Sequence, residues 1–303
     1  MLSICIPVYN FDVNRLVHDL QKQADQLNTD YEILLIDDCS SRQIKEKNKP
    51  IASLANVSYL ELESNIGRSA IRNLLAQKAK YRYLIFMDCD AEIIRQDYIE
   101  KYLECCKPQI VCYGGRKHPD VCPSQQQQLR WLYGHTREDI PAKKRQINPN
   151  ESFITFNFLI DKDVFLSVKF DERLKSYGHE DTLFGLELER QGIIVKHIDN
   201  PLLHIGLEDS ESFIKQNESS IRNLVLIQEQ FGMNEKFINS IRLLKTYHKI
   251  EKLHLNAIGA FLFHILRKDL RKNLLGTHPK IFYFDLYKLG YLCCIKNKDH
   301  KKC

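Results

Sequence analysis

Three acidic groups stand where this chain could do chemistry. Asp88-Cys89-Asp90 follows the apolar run Leu84-Ile85-Phe86-Met87, so two carboxylates are presented at the end of an expected buried strand. Hard divalent cations such as Mg²⁺ or Mn²⁺ take oxygen ligands of this kind, and diphosphate oxygens can complete the shell. Asp37-Asp38 follows a second apolar run, 31–36. Adjacent carboxylates there are costly to bury without partners. They can accept from a base N–H or a ribose hydroxyl, or simply cap the next helix. Glu180-Asp181 lies behind Gly178 in the first turn of an expected helix. Acid there complements the helix dipole, or one carboxylate acts as a general base toward an attacking hydroxyl. Between these groups, Gly67 opens a helix on which Arg68 and Arg72 lie one turn apart. Such a pair can neutralise a diphosphate, support the carboxylates, or be an ordinary charged helix start.

The elements that must position these residues alternate. Residues 2–8, 31–36, 57–60, 83–87 and 110–113 are short apolar runs with β-branched and aromatic content, the pattern of buried strands. Residues 12–28, 41–55, 66–80 and 95–107 between them have helical character. That alternation predicts a mostly parallel sheet covered by helices on both faces. Ligands of such sheets bind outside the carboxyl ends of the strands, where the acidic groups fall. Residues 114–150 break the pattern with Gln125–Gln128, Trp131 and the basic run Lys143-Lys144-Arg145, and are expected to form a long loop with some helix over the site. A strand at 152–160, helices at 161–167 and 180–190 and a strand at 193–198 follow. Beyond 210 the pattern is helical.

Composition is that of a globular protein, with 44% hydrophobic and 27% charged residues among 303. The net charge of +5 conceals an asymmetry: residues 241–303 hold 14 Lys/Arg against 4 Asp/Glu, whereas 1–240 hold 30 against 35. A uniformly basic nucleic-acid binder does not look like this, so nucleic acid is not expected as a partner. An acidic body with a basic tail instead suggests that the tail meets an anionic surface. The ten cysteines have no metal-ligand spacing, and without a secretory signal they are expected to be reduced thiols of a cytoplasmic protein.

The motifs PVYN (7–10), IDDCS (36–40), NIGRSAIRN (65–73), FMDCD (86–90) and GHEDTLFGLELERQGI (178–193), in this order, resemble the family 2 glycosyltransferases and their galactosyl- and N-acetylgalactosaminyltransferase branches. The stretch 157–178 is similar to the segment these enzymes carry before the acidic motif, and the likeness covers roughly residues 1–205. The resemblance implies a GT-A fold: a mostly parallel nucleotide-binding sheet flanked by helices (about 1–115), an acceptor part (about 116–209), and here a helical, basic C-terminal extension over 210–303. It implies that Pro7, Tyr9, Asp37 and Asp38 hold the nucleoside of a nucleotide-sugar, with Arg68 and Arg72 near the donor. Asp88 and Asp90 would bind ribose, Mn²⁺ or Mg²⁺ and diphosphate, with Asp90 the stronger metal ligand. Asp181 would be the base of an inverting transfer, with Glu180 binding the acceptor or sharing that role. His204 would complete the metal shell in preference to His197, and Gly114-Gly115-Arg116 would contact the donor. UDP is the expected nucleotide, and a saccharide or lipid-linked saccharide the expected acceptor. Retaining relatives carry similar acidic motifs, so retention is the alternative stereochemistry.

A nucleotidylyltransferase is disfavoured, because Tyr9-Asn10-Phe11-Asp12 after the first strand is no glycine-rich phosphate loop. A catalytically silent binding scaffold is disfavoured by the presence of both acidic motifs. In the tail, Leu255, Ile258, Leu262, Ile265 and Leu266 recur at helical spacing before Arg267, Lys268, Arg271 and Lys272. They are expected either to pack on the catalytic domain or to lie on the inner membrane face as a peripheral contact.

Overall fold

The computed structural model describes residues 1–174, 178–231 and 235–297; Tyr177 of the acidic motif lies outside them. The chain divides into two compact units. One comprises Met1–His118, Glu138–Lys175 and Glu180–Gly206; the other comprises Pro119–Arg137, Ser176–His179 and Leu207–Cys303.

The strands are β1 (Leu2–Val8), β2 (Tyr31–Asp37), β3 (Val57–Glu61), β4 (Tyr83–Met87), β5 (Ala91–Glu92), β6 (Val111–Tyr113), β7 (Arg116–Lys117), β8 (Asn157–Asp161), β9 (Lys196–His197) and β10 (Leu202–His204). The helices are α1 (Asn14–Asp25), α2 (Arg42–Asn48), α3 (Arg68–Lys78), α4 (Tyr98–Leu103), α5 (Gln128–Tyr133), α6 (Ala142–Arg145), α7 (Lys162–Val168), α8 (Glu180–Arg190), α9 (Ser210–Phe231), α10 (Glu235–Ser240), α11 (Arg242–Lys252), α12 (Asn256–Leu274) and α13 (Ile281–Lys296).

In the first unit a seven-stranded sheet runs in the order β3-β2-β1-β4-β8-β6-β9. The first four strands are mutually parallel, and β8 alone runs against its neighbours β4 and β6. Strands β1 and β2 are apolar almost throughout because helices cover both of their faces. One face packs Leu16, Val17, Leu20 and Ala24 of α1 with Tyr98 and Tyr102 of α4. The other packs Ile71, Leu75 and Ala76 of α3 with Phe165 and Phe184. Full burial of each Leu, Ile or Val contributes about 1.5–3 kcal/mol, so both layers are held firmly to the sheet. A small second sheet, β5-β10-β7, lies in the same unit.

This topology gathers one edge. Strands β1, β2, β4 and β6 all end there, at Val8, Asp37, Met87 and Tyr113, and β8 begins there with Asn157 opposite Met87. The loops after β1 and β2 turn through left-handed backbone at Asn10 and Cys39. They are tied by Ser40 Oγ, which accepts from the Asn10 N–H at 2.8 Å, and by Asn10 Oδ1, which accepts from the Ser41 N–H at 2.8 Å.

Several boundaries differ from expectation for physical reasons. The helix expected over 41–55 stops at Asn48 and continues as a 3₁₀ turn, Lys49–Ser53, because Pro50 has no N–H for the α ladder. The strand expected over 193–198 shrinks to β9. The Asn150 side-chain amide donates to Ile193 O at 2.8 Å and accepts from the Val195 N–H at 3.3 Å, taking backbone groups that a longer strand would use. The stretch 114–150 contains β7, a 3₁₀ turn, α5, a π turn (Gly134–Glu138) and α6. Arg145 of its basic run is buried, donating to the carbonyls of Tyr113, Gly114, Ile140 and Ile198. It also stacks on the Tyr113 ring. Cys294 is disulfide-bonded, against the expectation of reduced thiols, while eight other cysteines among the described residues are free.

The second unit is helical. Its α12 and α13 pack through Phe263 against Tyr287 and Tyr291. Gly290 is required there, since a Cβ would lie 2.6 Å from the Phe263 ring. The inward face of α12 is Ala260, Phe263, Leu270 and Leu274. Leu255, Ile258, Leu262, Ile265 and Leu266 lie away from that packed face and are exposed. Among the described residues no helix is long and apolar enough to cross a membrane.

Candidate active site

The two carboxylate pairs at the sheet edge are held differently. Asp37 is fully buried; its Oδ1 accepts from the Ser40 N–H at 2.6 Å and its Oδ2 from the Tyr59 hydroxyl at 2.7 Å. Asp38 accepts at both oxygens from the N–H groups of Ile66 and Gly67, at 2.7 and 3.0 Å. It thereby fixes the turn into α3, where Gly67 adopts φ +86° and a side chain would be strained. Both residues therefore brace the loops around the edge. Pro7 lies within β1, half-buried, and Tyr9 just beyond it is 55% exposed.

After β4, Asp88 Oδ1 receives the Arg72 guanidinium at 2.6 Å, and Arg72 is buried with its Nη1 on the Arg68 carbonyl. Arg68 itself is half exposed and approaches Glu180 at 3.8 Å. Asp90 Oδ2 meets His204 Nε2 at 3.0 Å. Burial pushes the Asp90 carboxyl up, but the His204 hydrogen bond and the charges of His204, Arg68 and Arg116 outweigh it and hold it below the usual carboxylate range. Asp90 Oδ1 is buried and has no hydrogen-bond partner in the protein, and neither has Arg72 Nε. A buried acceptor and a buried donor left without partners are expensive unless a ligand meets them.

His204 is supported from behind. Its Nδ1 faces His118 Nε2 at 3.5 Å, and His118 Nδ1 faces Asp139 Oδ1 at 2.6 Å. Glu138 lies 3.2 Å from His118 Nε2 and 2.9 Å from Arg116. His197 is engaged elsewhere, between Arg145 and the Pro149 carbonyl, and burial lowers its pKa to about 4. The backbone at Gly206 passes so close that a Cβ there would lie 2.5 Å from the Asp90 Cβ and 2.6 Å from Oδ2. His118, Glu138, Asp139 and Gly206 carry no spacing signal in the sequence; His118 follows β7, Gly206 follows β10, and Glu138 and Asp139 come from the end of the π turn. Gly114 and Gly115 are packed against Asn200, Tyr102 and Arg145. Among the described residues no three His, Cys, Asp or Glu side chains converge as a self-sufficient metal-ligating group.

The acidic pair opens α8. Asp181 accepts from the Thr182 N–H at 2.7 Å. Burial and the neighbouring Glu180 charge raise its pKa to about 6, against partial compensation from Thr182, Arg116 and Arg72. A carboxylate near that value is largely ionised at neutral pH yet basic enough to take a proton.

A parallel sheet with acidic loops at its carboxyl edge and a smaller sheet carrying a histidine to them defines a GT-A glycosyltransferase fold. Residues 3–168 match the model of glycosyl transferase family 2, and the chain belongs to that family. It is 25% identical over 247 residues to the chondroitin synthase of Escherichia coli, covering 67% of this chain and 34% of that protein. The chain thus spans about a third of the length of that curated relative. It is 23% identical over 298 residues to an uncharacterized glycosyltransferase of Haemophilus influenzae, covering 95% and 90% of the two chains. The fold is similar to that of the mannosyltransferase PcManGT from Pyrobaculum calidifontis, solved with GDP-Man and Mn²⁺, with a TM-score of 0.59 at 12% identity over 99% and 87% of the chains.

Proposed function

We propose that this chain transfers a sugar from a nucleoside-diphosphate sugar, a UDP-sugar in the first instance, to a hydroxyl of a saccharide or lipid-linked saccharide, in a metal-dependent reaction that inverts the anomeric centre. The observation that carries the reading is the unpartnered buried Oδ1 of Asp90 beside the Asp90–His204 pair. Oxygen and imidazole nitrogen are donors that suit Mn²⁺ or Mg²⁺. Asp90 and His204 would hold the ion, with Asp88 shared between it and the ribose, and donor diphosphate oxygens would fill the remaining positions. Bound there, the cation neutralises charge on the departing diphosphate.

The protein's own residues do the rest. Asp139 and His118 orient the His204 ring, as a carboxylate behind a ligating histidine commonly does. Arg72 fixes Asp88 through its guanidinium and keeps a buried Nε without a partner. Pro7, the exposed face of Tyr9 and the loops braced by Asp37 and Asp38 receive the nucleoside, where the Tyr9 ring offers a stacking surface. Arg68 lies between donor and acidic motif and restrains Glu180, which binds the acceptor. Asp181 takes the acceptor hydroxyl proton as that oxygen attacks the anomeric carbon opposite the leaving diphosphate.

A panel of UDP- and GDP-sugars, incubated with Mn²⁺ or Mg²⁺ without acceptor, tests the reading through slow release of nucleoside diphosphate. Metal-dependent release from at least one donor is the expected result. No release from any donor, together with no metal-dependent nucleotide binding by calorimetry, overturns it.

A further inference from the structure

Ten of the 21 exposed large hydrophobic side chains among the described residues lie between Leu253 and Leu286. Six of them, Leu255 at the N-cap of α12 and Ile258, Phe261, Leu262, Ile265 and Leu266 within it, fall on its outward side, opposite the packed face of Ala260, Phe263, Leu270 and Leu274. Phe261 is 64% and Ile265 55% exposed, and Phe282 at the start of α13 is 66% exposed. A stripe this wide on a surface helix of a soluble domain marks an interaction surface.

Charge at the stripe selects its occupant. Lys268 and Lys272 continue the same outward side at its C-terminal end, are exposed, and form no ion pair among the described residues. Arg271, one turn on from Arg267 and pointing inward, is taken up by Glu211 at 2.6 Å and Glu218 at 3.7 Å. Asp269 is the one exposed carboxylate on that side of α12 among the described residues. Two lysines against one aspartate leave the face positive, which repels a second copy and attracts an anionic headgroup layer.

We infer that the outward face of α12 docks this protein on an anionic lipid bilayer, with Phe261, Ile265 and their neighbours entering the interface and Lys268 and Lys272 resting on the headgroups. The inference stands on the second unit alone and is independent of the donor chemistry proposed above.

Sedimentation of the full chain with vesicles of phosphatidylcholine containing about a third phosphatidylglycerol tests it. Wild-type protein should sediment with these vesicles and only weakly with pure phosphatidylcholine. The double variant Phe261→Asp/Ile265→Asp should weaken binding about tenfold or more. Lys268→Glu/Lys272→Glu should remove the preference for anionic vesicles and its salt dependence. Because all four positions are exposed, thermal melting should be unchanged, which separates lost docking from lost folding. Absence of vesicle binding, or binding undiminished by the apolar double variant, overturns the inference. So does a solution dimer that the same variant converts to monomer, since the face would then belong to a second copy.

Discussion

Two loops at the same sheet edge each carry a pair of aspartates, and they solve the problem of buried charge in opposite ways. After β2, all four carboxylate oxygens of Asp37 and Asp38 are met from within the protein, by two loops' N–H groups and the Tyr59 hydroxyl. After β4, Asp88 is met by Arg72 and one oxygen of Asp90 by His204, but Asp90 Oδ1 is left buried with no partner. The first arrangement stabilises the fold; the second holds unsatisfied polarity at a cost that a ligand would offset. Residue type alone does not distinguish the two pairs, but the count of satisfied oxygens does.

The largest effect that could break this contrast is expected at Asp90. Asp90→Ala should lower transferase turnover by about 10⁴-fold, as loss of a metal-centred stabilisation of several kcal/mol implies, while a urea melt moves little. If stability fell and metal-dependent donor turnover survived, the two loops would not differ in kind. A third carboxylate sharpens the comparison: Asp181→Asn should reduce transfer about 10³-fold and leave donor binding intact. With the Asp181 pKa raised to about 6, wild-type transfer should fall as pH drops through that value. The stability sign is the reverse. A carboxyl whose folded pKa lies above its unfolded value favours folding below pH 4 or so and loses that contribution as pH rises through about 6. Asp181→Asn should therefore melt higher relative to wild type at pH 7.5 than at pH 4.

Smaller effects probe the supports. Gly206→Ala places a Cβ 2.5 Å from that of Asp90. Metal affinity, read by Mn²⁺ titration, should weaken about 10–100-fold as the Asp90–His204 contact is displaced. The smallest catalytic effect is expected at Asp37. Asp37→Ala should cost about 2–4 kcal/mol of stability, read by urea unfolding, because the Ser40 N–H and Tyr59 hydroxyl lose a charged acceptor. Turnover at a permissive temperature should change by less than about threefold.

Strands β1, β2 and β4 were legible because buried parallel strands need mostly apolar runs, and 2–8, 31–36 and 83–87 supply them; β3, expected to be buried, forms the edge of the sheet and buries only Val57. The order of motifs made the family legible as well. Helix α12 was legible as a helix but not in its orientation. Two faces of that helix are apolar, and only packing of Phe263 against Gly290 and Tyr287 chose which one turns inward. Strands β5 and β7 were invisible, because two residues carry no periodicity, whereas β10 overlaps the strand-like stretch 200–203.

The order of residues along the chain was sufficient to determine the alternating fold, the edge at which its acidic groups collect and the family to which it belongs, since these follow from local hydrophobic pattern and motif succession. Tertiary structure alone decided that Asp90 meets His204 across 114 positions, that His118 and Asp139 stand behind that histidine, and that Asp37 and Asp38 accept hydrogen bonds from the loops around them. The physical reason is that hydrogen-bond satisfaction depends on what lies within about 3 Å in space, and sequence distance does not report that.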